Sequence, residues 1–150
     1  MQIYFWLDWY RPSKRLAQEF KNVNSLGLFQ EYIERISKFV PIEVGGEPRK
    51  LLEQGQTVVL YTDISRSPKD LLSSEDLATW IESQWGAGLS QIVIAVGASD
   101  GWRQRARHPN SRTWSFGPMT LPHELAAAVA SEQVYRALSI IKKLPYHLGH

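Results

Sequence analysis

Apolar residues in this chain fall into short β-rich runs separated by stretches with helical spacing. The runs cover residues 3–7, 40–44, 57–62, 91–96 and 113–116. Strands alternating with helical patterns predict an α/β fold with a mostly parallel sheet flanked by helices. Between the first two runs Leu26, Phe29, Ile33 and Ile36 share one helical stripe, which Asn24 or Ser25 can cap. A second helix is expected over residues 74–84, because Ser73-Ser74-Glu75-Asp76 supplies a cap and first-turn acids that suit the helix dipole. The turn Gly86-Ala87-Gly88 then stops it.

The last helix is expected to begin after Pro122 and to run to about Lys143, with Glu124 in its first turn and Lys142 and Lys143 in its last. It carries two apolar stripes. Leu125, Ala128, Tyr135 and Leu138 form one, and Ala127, Ala130, Val134, Ala137 and Ile141 form the other. Two apolar sides call for two partners, the helix's own sheet and a second subunit, so a homodimer is expected. No internal repeat, low-complexity tract or linker divides the chain, and residues 1–150 read as a single domain.

Composition narrows the chemistry. At 150 residues, 43% hydrophobic and 21% charged, the chain is long enough for one packed core and unlike a disordered or fibrous protein. The absence of cysteine excludes disulfides, zinc ribbons, iron–sulfur clusters and a thiol nucleophile. The first apolar run is short, ends at Asp8 and has no Lys or Arg before it, so neither a signal peptide nor a membrane span is expected and the cytoplasm fits best. Lys and Arg number 17 against 15 Asp and Glu, and their distribution says more than the net charge of +2.

From Gly101 to His123 there is no acid, while Arg103, Arg105, Arg107 and Arg112 alternate with Trp102, Trp114, Phe116 and two histidines. Arginine forks bind phosphates and aromatic rings stack on bases, so RNA is expected to touch this segment. Just upstream, Gly97-Ala98-Ser99-Asp100-Gly101 matches the G-x-S-x-G form of a nucleophile elbow. The residues that follow are too basic, and too soon broken by Pro109, to make the helix that an elbow launches. A glycine loop ending a strand is the better reading, and it lets a ligand approach the backbone. The histidines 108, 123, 147 and 150 have no metal-ligand spacing, and no metal is expected. Asp63 closes a strand where ligands meet open α/β sheets. Glu132 is expected to pair with Arg136 one turn later.

The last third of the chain resembles the RlmH family, SPOUT-class methyltransferases that modify N3 of a pseudouridine in large-subunit ribosomal RNA. The resemblance rests on Thr113-Trp114-Ser115-Phe116-Gly117-Pro118-Met119-Thr120-Leu121-Pro122-His123, on Ser131-Glu132-Gln133-Val134-Tyr135-Arg136-Ala137, and on Pro145-Tyr146-His147. Residues 97–101 look like the family's GGxxG loop, and Leu72-Ser73-Ser74-Glu75-Asp76-Leu77-Ala78 is similar to its LSSEEFA segment. The amino-terminal third matches weakly, mainly at Glu31-Tyr32-Ile33 and Arg35.

The resemblance implies a trefoil-knotted SPOUT fold in a homodimer, with the chain near residues 116–122 threaded through a loop. It implies S-adenosylmethionine bound near Thr62, Gly97, Ala98, Gly101, Phe116, Gly117, Pro118, Met119, Thr120 and Leu121. Large-subunit rRNA, within assembled ribosomes, is the implied substrate; Arg103, Arg105, Arg107 and Arg136 are the expected RNA contacts. His123 or His147 is the candidate general base, with Tyr146 to orient it. A SPOUT-fold RNA-binding protein without efficient methyl transfer is the alternative. The chain departs from the family pattern at Ala98, Ala127 and Leu148, and at Asp8-Trp9-Tyr10-Arg11 after the first strand.

Overall fold

The structure is a computed structural model that describes residues 1–12, 14–98, 101–102 and 105–148. Its elements run β1 (Gln2–Leu7), α1 (Leu16–Glu19), α2 (Val23–Ser37), β2 (Ile42–Gly45), α3 (Arg49–Leu52), β3 (Thr57–Thr62), a 3-10 turn (Pro68–Asp70), α4 (Ser74–Gly86), β4 (Gln91–Val96), β5 (Ser111–Trp114) and α5 (His123–Ile141). The strands form one sheet of order β2-β1-β4-β3-β5, and every pairing is parallel. All six residues of β3 are buried, as expected of a parallel strand covered on both faces.

One face of the sheet carries Ile3, Phe5, Leu7, Val58, Leu60, Ile92, Ile94 and Val96, which pack with residues of α2, α4 and α5 into the main core. The opposite face carries Trp6, Val59, Tyr61, Val93 and Ala95, and Trp102 seals it. Register brings Leu7, Val96, Thr62 and Trp114 side by side, so the carboxyl ends of β1, β4, β3 and β5 lie in one row. Open α/β sheets bind ligands at this edge.

Several boundaries differ from those that the sequence pattern predicts. Helix α2 is capped by Asn22, whose side chain accepts from Ser25 N at 2.9 Å, two residues ahead of the expected cap. Helix α5 ends at Ile141, with Lys142 as its C-cap. Strand β5 begins at Ser111 and ends at Trp114, which leaves Phe116 in the following loop. The two apolar sides of α5 find partners within the chain, because α5 packs against both α2 and α4. Ala130 and Val134 have no exposed surface in one protomer. Most of both stripes therefore serves this chain's own core, with Leu125 left exposed.

Candidate functional site: a cavity at the carboxyl ends of β3 and β4

A cavity of about 520 Å³ opens at the carboxyl ends of β3 and β4. Of the ten residues expected to hold a cofactor, nine line it, drawn from the end of β3, the loop after β4 and the segment before α5; Pro118 does not. Asp63, Arg105, His123 and the apolar Ile64 and Ala126 complete much of the wall. The size lies within the range of roughly 300–1,000 Å³ typical of small-molecule sites.

Ser115 sets the shape of the far wall. Its buried hydroxyl accepts from Ser65 N at 3.1 Å and Gly117 N at 3.0 Å, and faces Ser65 O and Gly117 O, each at 3.0 Å, as acceptors for its one proton. Ser115 N also donates to Asp70 O at 2.8 Å. One side chain thus ties the segment after β5 to the loop after β3 and holds Phe116 and Gly117 at the cavity. In the sequence Ser115 stands out only as part of a motif, because nothing local shows which backbone groups its hydroxyl meets.

The glycines have reasons internal to the protein. A Cβ at Gly97 would stand 3.0 Å from Trp102 Nε1 and 3.2 Å from Gly101 Cα, so the space beside it is filled by the loop itself. Gly101 has φ +68° with the Asp63 carboxylate 3.2 Å from where its Cβ would lie. Gly117 differs: its φ is +104°, and a Cβ there would meet nothing within 4 Å, so its freedom serves the turn and leaves open space at the wall.

The arginines expected to meet RNA are engaged within the chain. Arg105 pairs with Asp8, and its Cζ lies 4.7 Å from the Trp102 ring centroid. Arg107 donates to Asp63 Oδ2 and to Thr113 Oγ1, both at 2.7 Å, and lies over the Tyr61 ring. These two border the cavity region, whereas Arg136 stands on α5, mostly buried and paired with Glu132 at 2.7 Å as expected from the spacing. Trp102 and Trp114, two aromatics of the segment expected to touch RNA, are 1% and 2% exposed and belong to the core. Arg103 and Ser99 lie outside the described residues, as does His150.

The three candidate catalytic residues occupy two places. His123, the first residue of α5, lines the cavity and packs edge-on against Trp9 with ring centroids 4.4 Å apart. Tyr146 and His147 lie against α5 from its middle onward. The Tyr146 hydroxyl donates to Glu132 Oε1 and meets Tyr32 Oη, both at 3.0 Å. Burial, together with Tyr32 and Glu132, pushes the Tyr146 phenol above its ordinary pKa. His147 contacts Arg136 Nη1 at 3.2 Å and meets the Glu75 carboxylate. Among the described residues, no three His, Cys, Asp or Glu side chains gather as a metal-ligand group.

Comparison with known proteins decides the family. Residues 46–147 match the family described as predicted SPOUT methyltransferase. The chain belongs to the SPOUT methyltransferases. Within them it joins the RlmH proteins, as relatives along most of its length show. The ribosomal RNA large subunit methyltransferase H of Koribacter versatilis (strain Ellin345) is 36% identical over 126 residues, covering 80% of this chain and 86% of the relative. The protein of that name from Xylella fastidiosa (strain M12) is 31% identical over 141 residues, covering 81% and 87%. The one from Deinococcus radiodurans is 30% identical over 128 residues, again covering 81% and 87%. The parallel sheet flanked by helices is the SPOUT architecture, and every residue lining the cavity lies inside the matched segment.

Proposed function

We propose that this SPOUT protein methylates N3 of a pseudouridine in large-subunit ribosomal RNA, using S-adenosylmethionine. The observation that carries the reading is the convergence of nine expected cofactor residues on one cavity in a chain of this family. The cavity fits the cofactor chemically. Thr62, Gly97, Ala98, Gly101 and Gly117 line it as small residues that suit the close approach of an adenine and of the amino-acid end, while Phe116, Met119 and Leu121 offer apolar surface. When bound, S-adenosylmethionine supplies an electrophilic methyl carbon on a sulfonium.

The chain's part is to bind, orient and manage a proton. His123, in the cavity wall, is one candidate to take the proton of the imide nitrogen; His147, with Tyr146 to orient it, is the other. A suitably placed base contributes roughly 100- to 10,000-fold. We further propose that the 150 residues act as one domain in a cytoplasmic homodimer, with the chain at residues 116–122 threaded as a trefoil knot. Arg103, Arg105 and Arg107 are proposed to face the RNA. The test is transfer of labelled methyl groups to ribosomes that lack the modification, with mapping of the methylated base; RNA binding without transfer would favour the non-catalytic alternative.

A further inference from the structure

A second concavity, of about 400 Å³, lies on the sheet face away from α2, α4 and α5. Its walls include Trp6, Tyr61, Trp102, Leu52, Arg105 and Arg107. The three rings are buried, at 4%, 2% and 1% exposure, so they offer no free face. The arginines that cover them do. Arg105 Cζ lies 4.7 Å from the Trp102 centroid and 5.7 Å from that of Trp6, and Arg107 Cζ lies 5.1 Å from that of Tyr61. Their side chains remain 43% and 32% exposed.

Both guanidinium groups are held still: Asp8 binds Arg105, while Asp63 and Thr113 bind Arg107. Part of each donor set is spent on these partners and each charge is balanced by a carboxylate, which disfavours a bare phosphate and leaves flat cationic surfaces. Such planes stack on nucleobases. The rim is rigid too. His108 Nε2 faces the carbonyl acceptor Leu52 O at 3.0 Å, so it donates there and pins α3 beside the concavity, while Nδ1 lies 3.1 Å from both Asn110 N and Asn110 O. Arg105 lines this concavity and the first cavity alike, and Arg107 pairs with Asp63 of the first.

We infer that the second concavity holds an unpaired nucleobase of the RNA strand, a neighbour of the base presented to the first cavity. The inference rests on the proposed RNA substrate and adds a binding site to it. A single-stranded RNA hexamer tests it against the same hexamer with an abasic site at one position. The full-length protein should bind the hexamer roughly tenfold or more tightly than the abasic one. Arg107→Lys keeps the charge and loses the plane, and should abolish this preference. Ala106→Glu places a carboxylate on an exposed wall residue and should weaken the hexamer while S-adenosylmethionine affinity, measured by calorimetry, stays unchanged. Equal affinity for the abasic hexamer, or a preference untouched by both variants, would overturn the inference. Methyl transfer to ribosomes by the unmodified protein is read separately, so loss of the stacking site and loss of the proposed activity give different results.

Discussion

The Tyr146 hydroxyl donates to Glu132 Oε1 at 3.0 Å, which fastens the segment after α5 to the middle of that helix. Glu132 stands nine residues from His123, or roughly 14 Å along the axis at the rise of an α-helix. In this arrangement one chain does not bring His123 and Tyr146 to the same base. If both act, a second copy supplies one of them. Mixing a His123→Ala protein with a chain truncated before Pro145 should then restore methyl transfer that neither variant shows alone. Activity that stays absent in the mixture, with heterodimers demonstrated, would rule out a shared site.

Gly97 sits against Trp102 and Gly101, so even a methyl group there meets the protein before it meets a ligand. Gly97→Ala should lower stability by about 1–3 kcal/mol, the usual cost of overpacking. Thermal denaturation run beside cofactor calorimetry checks this. A variant with unchanged melting but lost cofactor binding would show that the glycine serves the ligand directly.

Glu124 accepts hydrogen bonds from Lys21 N on both oxygens, each at 3.0 Å, and from Asn22 N at 2.8 Å. It is 8% exposed and joins the approach to α2 with the first turn of α5. Glu124→Gln puts an amide donor against these N–H groups and should cost about 1–3 kcal/mol. Denaturant titration reads the loss; an unchanged midpoint would contradict the role.

Tyr4 donates to Gly46 O at 2.8 Å, and burial, with Glu43 nearby, pushes its phenol from 10.0 up to about 12. Below pH 10.0 the hydroxyl is neutral in both states, so its contribution is complete. As pH climbs toward 12 the unfolded chain ionises first, and stability falls through that window. Tyr4→Phe should start about 1 kcal/mol lower and decline less steeply. Equal alkaline slopes in melting experiments would contradict the assignment.

The strands are the most legible part of the chain. The runs at residues 57–62 and 91–96 coincide with β3 and β4, because unbroken apolar segments have little other use in a sheet buried on both faces. Helices α1 and α3, of four residues each, leave no periodicity to read. The cofactor residues are legible through the family motif, and the sheet edge explains why distant segments converge there. What the sequence hides is competition for its aromatic and basic residues. Trp102 looks like a base platform in a basic loop, yet it seals the second face of the sheet; Arg105 looks free, yet Asp8 holds it. Such pairings depend on contacts between residues about 100 positions apart, which local spacing does not carry.

Labelled methyl transfer to ribosomes lacking the modification tests the central claim most directly. The expected result is label that requires S-adenosylmethionine and maps to N3 of a single pseudouridine in large-subunit RNA. Binding of cofactor and ribosomes with no transferred label, or label on another RNA, would contradict it.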